Sequence, residues 1–99
     1  MVPPLKLADE ELKKCLADLP CWTIEENALQ RMVDGKTYPA SLDLLMQVGQ
    51  LAETENHHPD MMLHYKRLTI RFWTHTAGGV TELDVAMAQK TEALIQGYI

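Results

Sequence analysis

Apolar positions along the chain switch between a helical and a strand period, and each switch marks an element. From Ala8 to Leu19, the residues Leu12, Cys15, Leu16 and Leu19 recur at i, i+3, i+4 and i+7, which predicts one buried helix face. Asp9, Glu10 and Glu11 fall in its first turn, where the helix dipole favours negative charge, and Pro20 stops it. Trp22 to Glu26 alternates apolar with polar, and Ala28 to Val33 follows after Asn27, which predicts a hairpin closed off by an Asp34-Gly35 turn. Thr37 is a good N-cap and Pro39 is tolerated in a first turn, so a second helix should run from Tyr38 to about His57, where Pro59 ends it.

Two strand-like runs come next, Met61 to Tyr65 and Leu68 to His75, with Lys66-Arg67 as the turn between them. Thr81-Glu82-Leu83-Asp84 fits a capping box and opens a last helix with the stripe Leu83, Met87, Leu94, Ile95 and Tyr98. The order α-β-β-α-β-β-α predicts an α+β fold, a four-stranded antiparallel sheet with about three helices on one face. One domain spanning 1–99 is expected, with Met1 to Lys6 as a loose tail. On the second helix, Leu42, Leu45, Met46 and Gly49 lie beside the stripe Leu44, Val48 and Leu51. A helix on a sheet needs only one stripe of about 100°. The surplus predicts a second copy of the chain over this helix, as a homodimer or homotetramer.

Charge and composition narrow the function. Nine Lys and Arg against fourteen Asp and Glu give a net charge of −5, which opposes nucleic-acid phosphates and anionic lipid. No apolar run approaches the roughly 18 residues that span a bilayer. Met1 to Ala8 lacks the pattern of a secretory signal, so a reducing, cytoplasmic setting is expected, with the nucleus added in a eukaryotic source. Cys15 falls in a helix core stripe, where an inert thiol is expected, and Cys21 has no base or cation near it in sequence. Met32, Met46, Met61, Met62 and Met87 occur at core spacings and fill gaps rather than bind a cofactor.

The candidate chemistry lies in the histidines. With Lys66-Arg67 as the turn, Tyr65 faces Leu68, Leu63 faces Ile70 and Met61 faces Phe72, so all six apolar side chains share one face. Extended outward, the same register sets His58 opposite His75, with His57 as neighbour. Glu53, four residues before His57, should lie on the same helical face and pair with it. Imidazoles in different electrostatic settings suit a reaction that needs a proton donor and an acceptor near neutral pH. A His-His-Pro helix end is equally the pattern of a C-terminal cap, where histidine complements the dipole. Zinc ranks below acid–base work, because adjacent helical residues point about 100° apart and do not chelate as His-x-x-x-His does. His64, on the face of Thr69 and Arg71, reads as a solvated strand residue.

The run Glu53-Thr54-Glu55-Asn56-His57-His58-Pro59-Asp60, followed by Tyr65, Thr74-His75 and Asp84, resembles the pterin-4a-carbinolamine dehydratases. The likeness extends more weakly from the first helix to the last. It implies an α+β lyase that removes water from 4a-hydroxytetrahydrobiopterin to give quinonoid dihydropterin, in pterin recycling after aromatic amino acid hydroxylation. It maps catalytic histidines onto His57, His58 and His75 and the accompanying carboxylate onto Glu53. No metal or bound cofactor is implied, since pterin is itself the substrate. The flat ring needs an apolar wall and edge hydrogen bonds, for which Trp22, Trp73 and the backbone near Thr74 are candidates. Asp84 matches the family's late aspartate and is a lesser substrate-binding candidate, since its capping role is a sufficient explanation by itself. Asn56 stands where an acidic residue is common, and Met61-Met62 replace bulkier aromatics, which bears on the pterin side chain accepted. The resemblance also carries a non-enzymatic alternative, since animal members act as dimerisation cofactors for a homeodomain transcription factor. A same-fold enzyme of molybdopterin metabolism is a further alternative.

Overall fold

A computed structural model describes residues 4–99, so the predicted tail lies partly outside the described residues. The elements are α1 (Asp9–Leu16), β1 (Thr23–Glu25), β2 (Ala28–Asp34), α2 (Tyr38–Glu55), β3 (Asp60–His64), β4 (Arg67–Phe72) and α3 (Glu82–Ile95), with a short 3₁₀ turn at His75–Ala77 before α3. Four antiparallel strands form one sheet in the order β1-β2-β4-β3, and the helices cover one face, as the α+β reading expects. Leu29 and Val33 of β2, Leu68, Ile70 and Phe72 of β4, Leu44 and Val48 of α2 and Met87 and Ile95 of α3 form the core between sheet and helices.

The local reasons are readable. Thr37 caps α2 by accepting the Ala40 N–H at 3.1 Å. Thr81 and Asp84 make the full capping box of α3. Glu26 and Asn27 both take left-handed torsions, φ 48 and 64, the backbone that a tight two-residue hairpin loop requires. Helix α1 ends earlier than expected, at Leu16, and Leu19 is buried from the turn that follows. On α3 the buried stripe is Val85, Met87, Ala88, Thr91 and Ile95, while Leu83 is exposed.

Two expectations are corrected. First, the β3–β4 register is slipped by two residues. Leu63 faces Leu68 and Met61 faces Ile70, and the turn is Tyr65-Lys66, with Tyr65 left-handed at φ 53 and exposed. The Lys66 carbonyl is held by the Gly35 N–H at 3.0 Å and the Ser41 hydroxyl at 2.7 Å, and this grip fixes the turn. Gly35 has to be glycine there, since a Cβ would sit 2.1 Å from the Ser41 oxygen. The ladder ends at Asp60↔Arg71, so His58 and His75 are not a cross-strand pair. Second, α2 stops at Glu55. Asn56 adopts the left-handed cap conformation at φ 53, and the chain turns out of the helix before either histidine.

Candidate active site

Antiparallel pairing brings the start of β3 and the end of β4 to the same end of the sheet, and the C-terminus of α2 and the N-terminus of α3 carry the remaining groups. His57 and His58 lie in the short link between α2 and β3, and His75 opens the 3₁₀ turn after β4. The His57 ring stacks on Phe72 with centroids 6.3 Å apart. The exposed His75 ring stacks on Trp73 at 3.8 Å, and the Trp73 indole N–H donates to Asp60 at 3.1 Å.

The carboxylates are distributed differently from the sequence expectation. Glu53 hydrogen bonds to His58 (2.9 Å), not to His57, because the chain leaves the helix at Asn56 and the i,i+4 geometry no longer applies. Glu53 and His58 are solvent-exposed, with 80% and 57% of their side chains accessible, so their attraction is screened. His57 instead meets Asp84, through Nε2 and Oδ1 at 2.5 Å. Asp84 is 0% exposed, and its second oxygen accepts from the Thr81 N–H and the Thr74 hydroxyl, each at 2.8 Å.

Three residues expected to line a substrate surface are therefore placed elsewhere. Asp84 is sealed from solvent and touches His57. Thr74 is buried; its hydroxyl serves Asp84, its N–H donates to the Gly79 carbonyl, and its own carbonyl accepts from Ala77 and Gly78. Trp22 is 3% exposed, stacked on Phe72 and bonded through its indole N–H to Glu92 at 2.8 Å, so it is a core residue and offers no open wall. Trp73 is half-buried and stacks on His75. His64 is an exposed strand residue, as read. The second function of Asp84 was not visible in the sequence: a capping box announces the bonds within α3 but says nothing of a histidine 27 residues away.

The arrangement offers three imidazoles in three settings: His57 on a buried carboxylate, His58 on an exposed one, His75 on an indole. Among the described residues no group of three or more His, Cys, Asp or Glu side chains could hold a metal ion. No described helix is long and apolar enough to cross a membrane.

The family model described as pterin 4 alpha carbinolamine dehydratase matches residues 5–94. A Chlorobaculum tepidum protein that bears the pterin-4-alpha-carbinolamine dehydratase name is 41% identical over 93 residues, covering 90% of this chain and 84% of its own length. A Rubrobacter xylanophilus protein of the same name is 39% identical, covering 94% of this chain and 86% of itself. Among solved structures, a transcriptional coactivator/pterin dehydratase from Brucella melitensis superposes with a TM-score of 0.86 at 30% identity, over 91% of this chain and 98% of that one. Sequence match, relatives and fold agree, and the chain belongs to the pterin 4 alpha carbinolamine dehydratase family, a family of hydro-lyases.

Proposed function

We propose that the chain dehydrates a 4a-hydroxytetrahydropterin to the quinonoid dihydropterin, with His57, His58 and His75 moving the protons and Glu53 supporting His58. One observation carries this reading: imidazoles from two separate segments lie at the same end of the sheet, each with a different partner. The substrate bears a hydroxyl and a nitrogen on one carbon. Hydroxide leaves poorly, so an acid must protonate the departing oxygen as the C–O bond breaks. A base takes the proton from the ring nitrogen, whose electron pair forms the new C=N bond, and water departs. Each such transfer is worth typically 10²–10⁴-fold. Trp73 supplies an aromatic wall next to His75. In a reducing cytoplasm this activity would return pterin to its cycle after hydroxylation of aromatic amino acids.

The test follows the ultraviolet absorbance of a freshly generated 4a-hydroxytetrahydropterin. Wild-type protein should speed its decay, with or without EDTA, and the His57→Ala, His75→Ala double variant should not. Full activity in that variant would refute the assignment.

The same reading includes self-assembly through α2. Leu42 and Met46 are 41% and 56% exposed on this helix, beside half-buried Leu45, while Ser41, Leu44, Val48 and Ala52 face the core. An exposed apolar strip on a chain of net charge −5 favours a second copy of the chain. Met46→Glu should convert a dimer or tetramer to smaller species in light scattering while leaving dehydration largely intact. A wild-type monomer at micromolar concentration would refute assembly.

A further inference from the structure

We infer that Asp84 is a positioning residue that fixes the tautomer of His57, protonated on Nε2, so that Nδ1 is the atom that exchanges a proton with the substrate. Oδ2 of Asp84 faces a backbone N–H, which can only donate, and a threonine hydroxyl, both at 2.8 Å. Oδ1 is left to His57, and a carboxylate can only accept, so the imidazole nitrogen that faces it carries the hydrogen. Nε2 is thereby occupied, and Nδ1 has no partner among the described residues. The ring itself is held by its stack on Phe72.

Asp84 also reaches the second segment. Thr74, bonded to Oδ2, anchors the turn that begins at His75, since its carbonyl accepts the Ala77 N–H at 3.1 Å and the Gly78 N–H at 3.0 Å. One buried carboxylate thus sets the orientation of His57 directly and the placement of His75 through Thr74.

The kinetic arm rests on the dehydratase reading, but the spectroscopic arm does not. Nitrogen-15 NMR of wild-type protein, with its histidines labelled, should show neutral His57 bearing its proton on Nε2. In Asp84→Asn the amide oxygen must stay with the Thr81 N–H, which turns the NH₂ group toward His57. Nε2 must then accept, and the proton should move to Nδ1. Turnover should fall by about 10²–10⁴-fold in kcat with little change in KM, as expected for a correctly placed imidazole in the wrong tautomer. A wild-type His57 protonated on Nδ1 would overturn the inference, as would an Asp84→Asn protein with the wild-type tautomer and full kcat. If Asp84→Asn does not fold, the wild-type spectrum alone decides. Absence of wild-type turnover would refute the dehydratase reading and leave the tautomer result standing.

Discussion

Helix α3 holds two carboxylates inward, and the protein uses them in opposite ways. Glu92 accepts from the Trp22 indole at 2.8 Å, from Arg31 Nε at 3.0 Å and Nη2 at 3.3 Å, and from the Gln96 amide. Asp84 accepts from Thr74, Thr81 and His57. Both satisfy the rule that a buried charge must be hydrogen-bonded. The difference lies in the donors. Every group on Glu92 donates through a nitrogen that keeps its proton near neutral pH, so that cluster moves no proton and ties the segment before β1 to β2 and α3. Asp84 includes among its donors an imidazole with a second nitrogen, so it can pass the consequence of its charge outward. A saturated carboxylate is structural, and one that ends on a histidine can serve chemistry.

That contrast can be broken from either side. The largest effects are expected at the histidines: His75→Ala should lose about 10²–10⁴-fold in kcat, with the melting temperature unchanged because the side chain is exposed. His57→Ala should lose as much activity and also about 1–3 kcal/mol of stability in urea titration, since Asp84 is left without one donor. Arg31→Met should do the reverse, costing about 2–3 kcal/mol by stranding a largely buried carboxylate, with kcat per folded molecule unchanged. A parallel loss of kcat there would show that the two clusters are coupled.

The smallest effect concerns acid. Burial pushes the Glu92 carboxyl up, but the hydrogen bonds from Arg31, Gln96 and Trp22 and the guanidinium charge outweigh it and hold the group below its ordinary value of 4.5. A carboxyl lowered on folding adds stability that is complete above its unfolded value and is lost as pH falls through the lowered folded one. The stability advantage of wild type over Glu92→Gln should therefore be constant near neutrality and close below about pH 4.5. An advantage that stays constant down to pH 3 would remove the charge from the account of this cluster.

The element order, both helix caps and the first hairpin were legible in the sequence because each rests on local chemistry: Thr37 and Thr81 as caps, and two strand-like runs either side of Asn27. The second hairpin was legible only as to face. A slip of two residues leaves Met61, Leu63, Leu68, Ile70 and Phe72 on the same side, so the apolar pattern cannot detect it. What decides the register is the grip of Gly35 and Ser41 on the Lys66 carbonyl, a contact across about 25–30 residues of chain. The expected pairing of Glu53 with His57 is not the observed one: Glu53 meets His58, and His57 meets Asp84. Spacing assumed a helix through His57, and the pairing of His57 with Asp84 depends on where α2 meets α3. Trp22 was misplaced for a related reason, since an aromatic residue reads the same in sequence whether it faces a ligand or the core.

Asn56 has a consequence for how the protein tolerates substitution. Its side chain is exposed, yet its backbone sits at φ 53, a torsion that Gly, Asn and Asp accept and β-branched residues resist. In a saturation library this surface position should behave like a narrow one: Gly or Asp neutral, Val or Ile depleted. The depletion would follow from geometry, because continuing α2 by one residue would swing the histidine pair about 100° around the helix axis and away from Asp84. Drift among Asn, Asp and Gly at this site therefore reports a backbone torsion.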